Sequence, residues 1–382
     1  MWIPYQELCY NHIIMSLFKK IESHLGIDIG AGGIKLVELR KTKNHPQLWT
    51  YGILDTPLDV HLPAPVPEPD KDSKTERKLK PAIPADPRVE KYGTLLKDLL
   101  KKTKVTTKHV TVSLPVSQVF HALITLPVLP EKEIDWHVRA KVTKMLPRPI
   151  DEMQIVYQRL QHEGADPAKD IKVLVTAADK SLIRFYTDIF SYADLVLDDL
   201  ETEAFALERS LVGRDAATVM VVDIGAERTN FFIIDSSVPV THRSIQIGGH
   251  DIDRILADTL GVEAQHIPQI KFDISQNSGI PLPGDAWLAV VDSIVKEIEY
   301  GFELYLHQSG NEQKRPEKII LTGGAALFPP IAAAISGHFP MKVFVGDPWA
   351  RVVYQDRLKP LLDVIGPRMS VAIGLALRNL AK

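Results

Sequence analysis

Twice in 382 residues an apolar run enters the same four residues, Asp-Ile-Gly-Ala: HLGIDIGAGGIKLVEL from His24 and VMVVDIGAERTNFFII from Val219. Each copy reads as a strand, a tight turn and a second strand, because small residues punctuate two apolar stretches. The first turn is Gly30-Ala31-Gly32-Gly33. Glycines let a ligand approach the backbone with no Cβ in the way, and successive N–H groups in such a turn converge on an anion. The second turn is Gly225-Ala226-Glu227-Arg228-Thr229, where Thr229 and Asn230 add side-chain donors. Asp28 and Asp223 precede the turns and suit the waters of a phosphate-bound Mg²⁺. The repeat therefore implies two half-sites, one per domain, that clamp a polyphosphate from both sides.

A glycine turn between apolar runs is also an ordinary hairpin connector. A third turn shifts the balance. In IILTGGAAL, Gly323, Gly324 and Ala325 follow a strand and open a helix, so their backbone can lie against a flat base or sugar. Three strand-ended glycine turns in the order phosphate, phosphate, nucleoside form a more specific pattern than any one of them.

Bulk properties narrow the classes further. At this length two or more subdomains are expected. A net charge of −3 and no basic run interleaved with aromatics argue against nucleic acid. Cys9 is the single cysteine, which excludes an intrachain disulfide framework and a cysteine-based zinc site and points to a reducing compartment. No apolar run approaches the roughly 18–20 residues that span a bilayer. The opening MWIPYQELCYNHIIMSLFKK makes a poor signal peptide, with Glu7 inside it and no small-residue cleavage site. Met15 is an alternative start, and MSLFKKIES an alternative amphipathic turn for a partner or membrane surface. Residues 57–87 carry eight prolines and many charges, which suits an extended surface insertion or a docking peptide.

Elsewhere strands alternate with helices, so the class is α/β. HVTVSLPVSQVFHALITLP predicts two strands, EKEIDWHVRAKVTKML a helix, MQIVYQRLQ and DIKVLVTAA two more strands, and KSLIRFYTDIFSYA a helix. LVLDDLETEAFALERSLV predicts a strand entering a helix, and GHDIDRILADTLG and DAWLAVVDSIVKEIEYGFELYLHQ predict two further helices. After the third glycine turn and its helix come the strand MKVFVGDP and a last helical stretch, SVAIGLALRNLA.

These residues resemble the actin-like ATPase superfamily, and within it the PilM family of type IV pilus assembly. The matching pieces run from about His24 to the end: GIDIGAGGIKLVEL, VTVSLPVSQVFHALITLP, LETEAFALER, VVDIGAERTNFFII, HRSIQIGGHDIDRIL, IILTGGAAL, VFVGDPW and AIGLALR. The resemblance implies a two-lobed, actin-like (ribonuclease H-like) α/β fold with ATP and Mg²⁺ in the cleft. It implies an N-terminal extension over 1–23 and a first lobe over 24–104, carrying the proline-rich insertion, that resumes over 179–217. An inserted subdomain of the kind shared with FtsA would occupy 105–178, a second lobe 218–346, and a return to the first lobe 347–382. The implied partner is the cytoplasmic N-terminal tail of a PilN-like membrane protein, docked between the inserted subdomain and the first lobe. Pilus motor ATPases and a platform protein would be neighbours. That places the chain in the cytoplasm, on the inner face of the membrane through its partners, and is compatible with a homo-oligomer.

Carried over residue by residue, Asp28, Gly30, Ala31, Gly32 and Gly33 match the first phosphate loop, with Ala31, Gly32 and Gly33 standing where the family usually has serines. The missing hydroxyls imply weak or no ATPase activity. Lys35 matches a family lysine or is a solvated strand residue. Asp223, Gly225, Ala226, Thr229 and Asn230 match the second loop, and Gly248 and Gly249 a turn beside the nucleotide. Glu201 opens the preceding helix, either as the acid that orients water or as an exposed helix-start glutamate. In IPQIK, Pro268 replaces the family's ribose-contacting acid and Lys271 remains; a proline disturbs a helix interior. Two alternatives are an FtsA-like cell-division filament protein and a sugar or small-molecule kinase, which needs an Asp base. Asp194, Asp198 and Asp199 are available for that role.

Overall fold

The computed structural model describes residues 22–43, 45–61, 86–160, 170–276, 287–308, 311 and 314–380. The segment holding Cys9 and Met15, and the proline-rich stretch from 62 to 85, lie outside the described residues.

Two five-stranded sheets share one strand order. In the first, β1 (Ser23–Gly30), β2 (Gly33–Arg40), β3 (Gln47–Asp55), β4 (His109–Leu114) and β8 (Val196–Thr202) lie in the order β3-β2-β1-β4-β8. In the second, β9 (Val219–Ile224), β10 (Thr229–Asp235), β11 (Val238–Ile245), β12 (Lys318–Thr322) and β13 (Lys342–Val345) lie in the order β11-β10-β9-β12-β13. Each sheet starts with an antiparallel meander and adds two parallel strands. The repeated tetrapeptide is the end of the same central strand, made twice. Residues Leu25–Ile29 are buried throughout, the continuous apolar reading of a strand covered on both faces.

The third sheet is small: β5 (Val119–Pro127), β6 (Met153–Leu160) and β7 (Asp170–Asp179) pair antiparallel in the order β5-β7-β6. Ile134, Val138 and Val142 of α2 (Glu131–Val142) pack on it. The expected start of this unit at 105 is corrected, because β4 pairs in parallel with β1 and β8 inside the first sheet. Its run from Val110 to Leu114 is wholly buried there. Helices α1 (Arg88–Thr103) and α3 (Lys180–Tyr192) cover one face of the first sheet with Leu96, Leu99, Tyr186 and Ile189.

Helix α9 (Lys359–Leu377), which follows α7 (Leu288–Leu306) and α8 (Pro329–His338) of the second half, joins the halves. A Cβ on Gly26 would overlap the Ala372 carbonyl, and one on Gly374 would overlap the Ala206 carbonyl. Bare backbone at these two points lets α9 lie directly between β1 and the short α4 (Glu203–Leu207). α4 continues as a π-helical turn over Glu208–Val212. Ala206 and Leu207 then share a core with Val221, Phe232 and Ile320 of the second sheet and Leu375 of α9. The sequence reading that no run approaches a membrane span is corrected here: Asp356–Leu377 has the length and apolarity of one, but 67% of its 18-residue apolar window is buried in the protein, so here it is a core helix. It begins earlier than the expected 370 because Pro360 sits harmlessly in its first turn and Pro367 is absorbed inside it.

Candidate functional site

The carboxyl-terminal ends of β1, β4, β9 and β12 open onto one cleft of about 860 Å³. The first two glycine turns meet across it: a Cβ on Gly32 would lie 3.0 Å from Ala226 Cβ. The amides of Ala31, Gly32, Ala226 and Glu227 donate to no backbone carbonyl among the described residues. All four residues are half-buried on the cleft wall, so these N–H groups are open to water or an anion.

The structure brings together Asp28, Gly30, Ala31, Gly32, Lys35, Asp223, Gly225, Ala226, Asn230, Gly249, Lys271, Gly323, Gly324 and Ala325 on the cleft wall. Gly33, Thr229 and Gly248 stand behind it. Gly33 has φ of +125° and makes the first turn, with no room for a side chain against the Leu54 carbonyl. The Thr229 hydroxyl donates to the Ile247 carbonyl at 2.7 Å instead of facing the cleft. A Cβ on Gly248 would lie 2.7 Å from the Ala226 carbonyl, so this residue backs the second turn.

The expectation for Glu201 is corrected. β8 runs through Thr202, so Glu203 opens the helix. Glu201 is turned to Arg209 and Arg378, and Arg378 also reaches Asp199 at 3.1 Å. Glu203 lines the cleft, where its Oε2 accepts from the Asn230 amide and the Val116 N–H, both at 3.3 Å. Pro268 sits in the first turn of α6 (Ile267–Gln276), following a 3₁₀ turn, and therefore costs the helix no hydrogen bond. Lys271 pairs with Asp253 of α5 (Gly249–Leu260) at 2.7 Å.

Charge at the cleft floor is lopsided. Asp28, Glu203 and Asp223 face one cation, Lys35, whose Nζ is 3.5 Å from Asp28 Oδ2. Ser113 donates to Asp28 Oδ1 at 2.9 Å. Burial first, then Asp28, pushes the Asp223 carboxyl up to about 7 against the pull of Lys35 and Asn230. Burial, then Asp28 and Asp223, pushes Glu203 well above the usual carboxylate range. Asn230 Oδ1 and Arg228 Nε are buried with no partner among the described residues. A hydrated divalent cation between Asp28 and Asp223, with anionic oxygens on the free amides and Arg228, would satisfy all of these groups. No cluster of three or more acids or imidazoles close enough to bind a metal directly occurs among the described residues, which fits contact through water.

The third turn is held by α9. The Pro367 carbonyl accepts from Gly323 N–H at 3.0 Å and from the Thr322 hydroxyl at 3.1 Å. Gly323 has φ of +87°, and a Cβ there would lie 2.5 Å from Asp223 Oδ1. Sequence reasoning missed Glu203, Arg228, Asp253, His61 and Arg368. His61 pairs with Glu227 at 3.1 Å and Arg368 with Asp55, at the rim. Asp253 is the one with a readable signal, since helical spacing from Gly249 puts it on the turn's own face. Asp194, Asp198 and Asp199 pair with Lys97, His109 and Arg378, and none lines the cleft.

A family model described as type IV pilus assembly protein PilM matches residues 26–380. Among solved structures, a PilM–PilN type IV pilus biogenesis complex superposes with a TM-score of 0.75 at 24% identity, over 94% of this chain and 99% of that one. The ethanolamine utilization protein EutJ from Carboxydothermus hydrogenoformans gives a TM-score of 0.52 at 13% identity, over 93% and 89%. With the duplicated sheet order, these likenesses give the architecture as the two-lobed α/β actin-like fold. The family match spans almost the entire described chain, and the protein belongs to the type IV pilus assembly protein PilM family.

Proposed function

We propose that the chain is an ATP-binding scaffold of type IV pilus assembly, or of a related type II secretion system. In this reading Mg-ATP in the cleft sets the spacing of the two lobes. The inserted subdomain and the first lobe receive the cytoplasmic N-terminal tail of a PilN-like membrane protein. That tail would keep the chain at the inner face of the membrane, beside motor ATPases and the platform protein.

The observation that carries the nucleotide half is the meeting of two glycine turns with unspent amides across one cleft. Backbone amides and Lys35 would hold the phosphates, Asp28 and Asp223 the waters of Mg²⁺, and Gly323 and Gly324 the nucleoside side. Bound Mg²⁺ would supply positive charge where three carboxylates now face one lysine. Hydrolysis would be weak or absent. Hydroxyls are missing from the first loop, and the Glu203 carboxylate is held by the Asn230 amide and the Val116 N–H. The known PilM–PilN complex supports the choice of partner. A kinase reading is weakened because Asp194, Asp198 and Asp199 are all spent in ion pairs away from the cleft.

Thermal denaturation with and without Mg-ATP tests the first half. Ligand at about a hundredfold over its dissociation constant adds roughly 2.7 kcal/mol, a rise of several degrees for a chain this size. Lys35→Met and Ala226→Asp should abolish the rise. No rise with the wild type refutes the nucleotide role. A labelled PilN-tail peptide, titrated with and without Mg-ATP, tests the second half: equal affinities would uncouple docking from the cleft.

A further inference from the structure

A second recess lies on the far edge of the first sheet, away from β8. It has a volume of about 210 Å³ and lies between β3, at Gln47–Tyr51, and the segment Tyr354–Leu358. β3 is an edge strand. Among the described residues the chain pairs with that edge once, through a parallel bridge in which Leu48 N–H donates to Val353 O at 2.9 Å and Val353 N–H to Pro46 O at 2.8 Å. Past the bridge, no backbone group of a described residue hydrogen-bonds to the outer side of Trp49–Asp55. An open edge of this kind is a template for another strand.

The side chains around the opening have a definite charge. Arg40 lies over the Trp49 ring with its guanidinium carbon 3.1 Å from the centroid. Its Nε is buried with no partner among the described residues. Arg357 is exposed on the opposite wall. Neither guanidinium forms an ion pair with a described residue, Asp356 included. Trp49 is itself 47% exposed. Two arginines without an ionic partner among the described residues flank an exposed tryptophan, the Tyr354 ring and a strand edge that no described residue pairs with past the bridge.

We propose that this edge docks an extended, acidic segment of a partner protein. The segment would add a strand beyond the Gln47–Val353 bridge, set one apolar side chain in the recess against Trp49 and Tyr354, and offer carboxylates to Arg40 and Arg357. Main-chain pairing supplies affinity in such strand addition, and the pockets supply specificity. Carboxylates are favoured as counter-groups because guanidinium binds them with two parallel hydrogen bonds. An anionic membrane would satisfy the arginines but would leave the strand edge unpaired.

A fluorescein-labelled heptapeptide of alternating valine and glutamate tests this by anisotropy. Its valine–lysine counterpart, a version N-methylated at alternate residues, and phosphatidylglycerol vesicles are run beside it. The acidic peptide should bind, and the lysine and N-methylated versions should bind at least about tenfold more weakly. Arg357→Glu should lose about tenfold with unchanged melting, while Lys342→Glu on the distant β13 should change nothing. Hydrogen exchange should slow over Trp49–Asp55 when the acidic peptide is bound. No binding at millimolar peptide, equal binding of both charge types, indifference to Arg357→Glu, or capture by vesicles alone overturns the proposal.

Discussion

Replacing Asp223 with asparagine should stabilise the nucleotide-free protein in alkali and do nothing for it in acid. Burial first, and Asp28 next, raise this carboxyl to about 7, against about 3.9 in an unfolded chain. A group raised on folding binds its proton more tightly in the native state. Its contribution is therefore complete below the unfolded value and is lost as pH climbs through about 7. The gap is roughly 3 pH units, and each unit is worth about 1.4 kcal/mol, so the ionised carboxylate costs on the order of 4 kcal/mol above pH 8. Part of that cost belongs jointly to Asp28 and Glu203, which remain, so the expected gain is about 2–4 kcal/mol. At about 2.1 cal/mol/K per residue of unfolding entropy, this is a rise of roughly 3–5 °C. Melting followed by circular dichroism from about pH 4.5 to 8.5, without nucleotide, reads it directly. A variant no more stable than the wild type at the alkaline end, or one equally improved at both ends, would show that the cleft carboxylates are not in electrostatic conflict. The argument for a cation-dependent ligand would fall with it.

Other perturbations separate architecture from binding. Glu201→Gln leaves Arg209 and Arg378 short of their shared carboxylate and should lower stability by about 2–3 kcal/mol. Calorimetry should find Mg-ATP affinity unchanged in that variant but lost in Asp28→Asn. Gly323→Ala forces a side chain onto φ of +87° and against Asp223; chemical denaturation should show a loss of about 2 kcal/mol or more. His242 packs edge-on to His121 at 5.1 Å, where the inserted sheet meets β11. Burial, then His121, holds its pKa near 4. A depressed imidazole gives stability that is present above about 6.5 and lost as pH falls towards 4. His242→Phe should therefore flatten the acid limb of the stability profile.

The glycine turns were readable because each ends a strand whose apolar run can only be a sheet centre, and turn chemistry is local. Their meeting across a cleft followed from the repeat itself. Glu203 was missed by two residues: strand and helix propensities overlap in LDDLETEAFAL, and nothing local decides where β8 stops. Pro268 misled for the same reason, since its penalty depends on its place in the helix. The start of α9 was hidden by Pro360 and Pro367, and the membership of β4 by a parallel partner strand more than 80 residues away in the chain. Arg228 and His61 carry no sequence signal at all, since only tertiary contact reveals a guanidinium nitrogen without a partner among the described residues or a bridge between loops.

The insertion of α9 between β1 and α4 has a consequence for biosynthesis. The central strand of the amino-terminal sheet needs the backbone of Ala372 and Ala376 against Gly26 to be covered, and these residues are translated long after the strand itself. While the ribosome still holds them, the first sheet has an uncovered face and Gly323 lacks its Pro367 anchor. Nascent chains should then remain open to proteases and chaperones until α9 has emerged, and the pocket for a ligand should form only once that helix has closed on the first sheet.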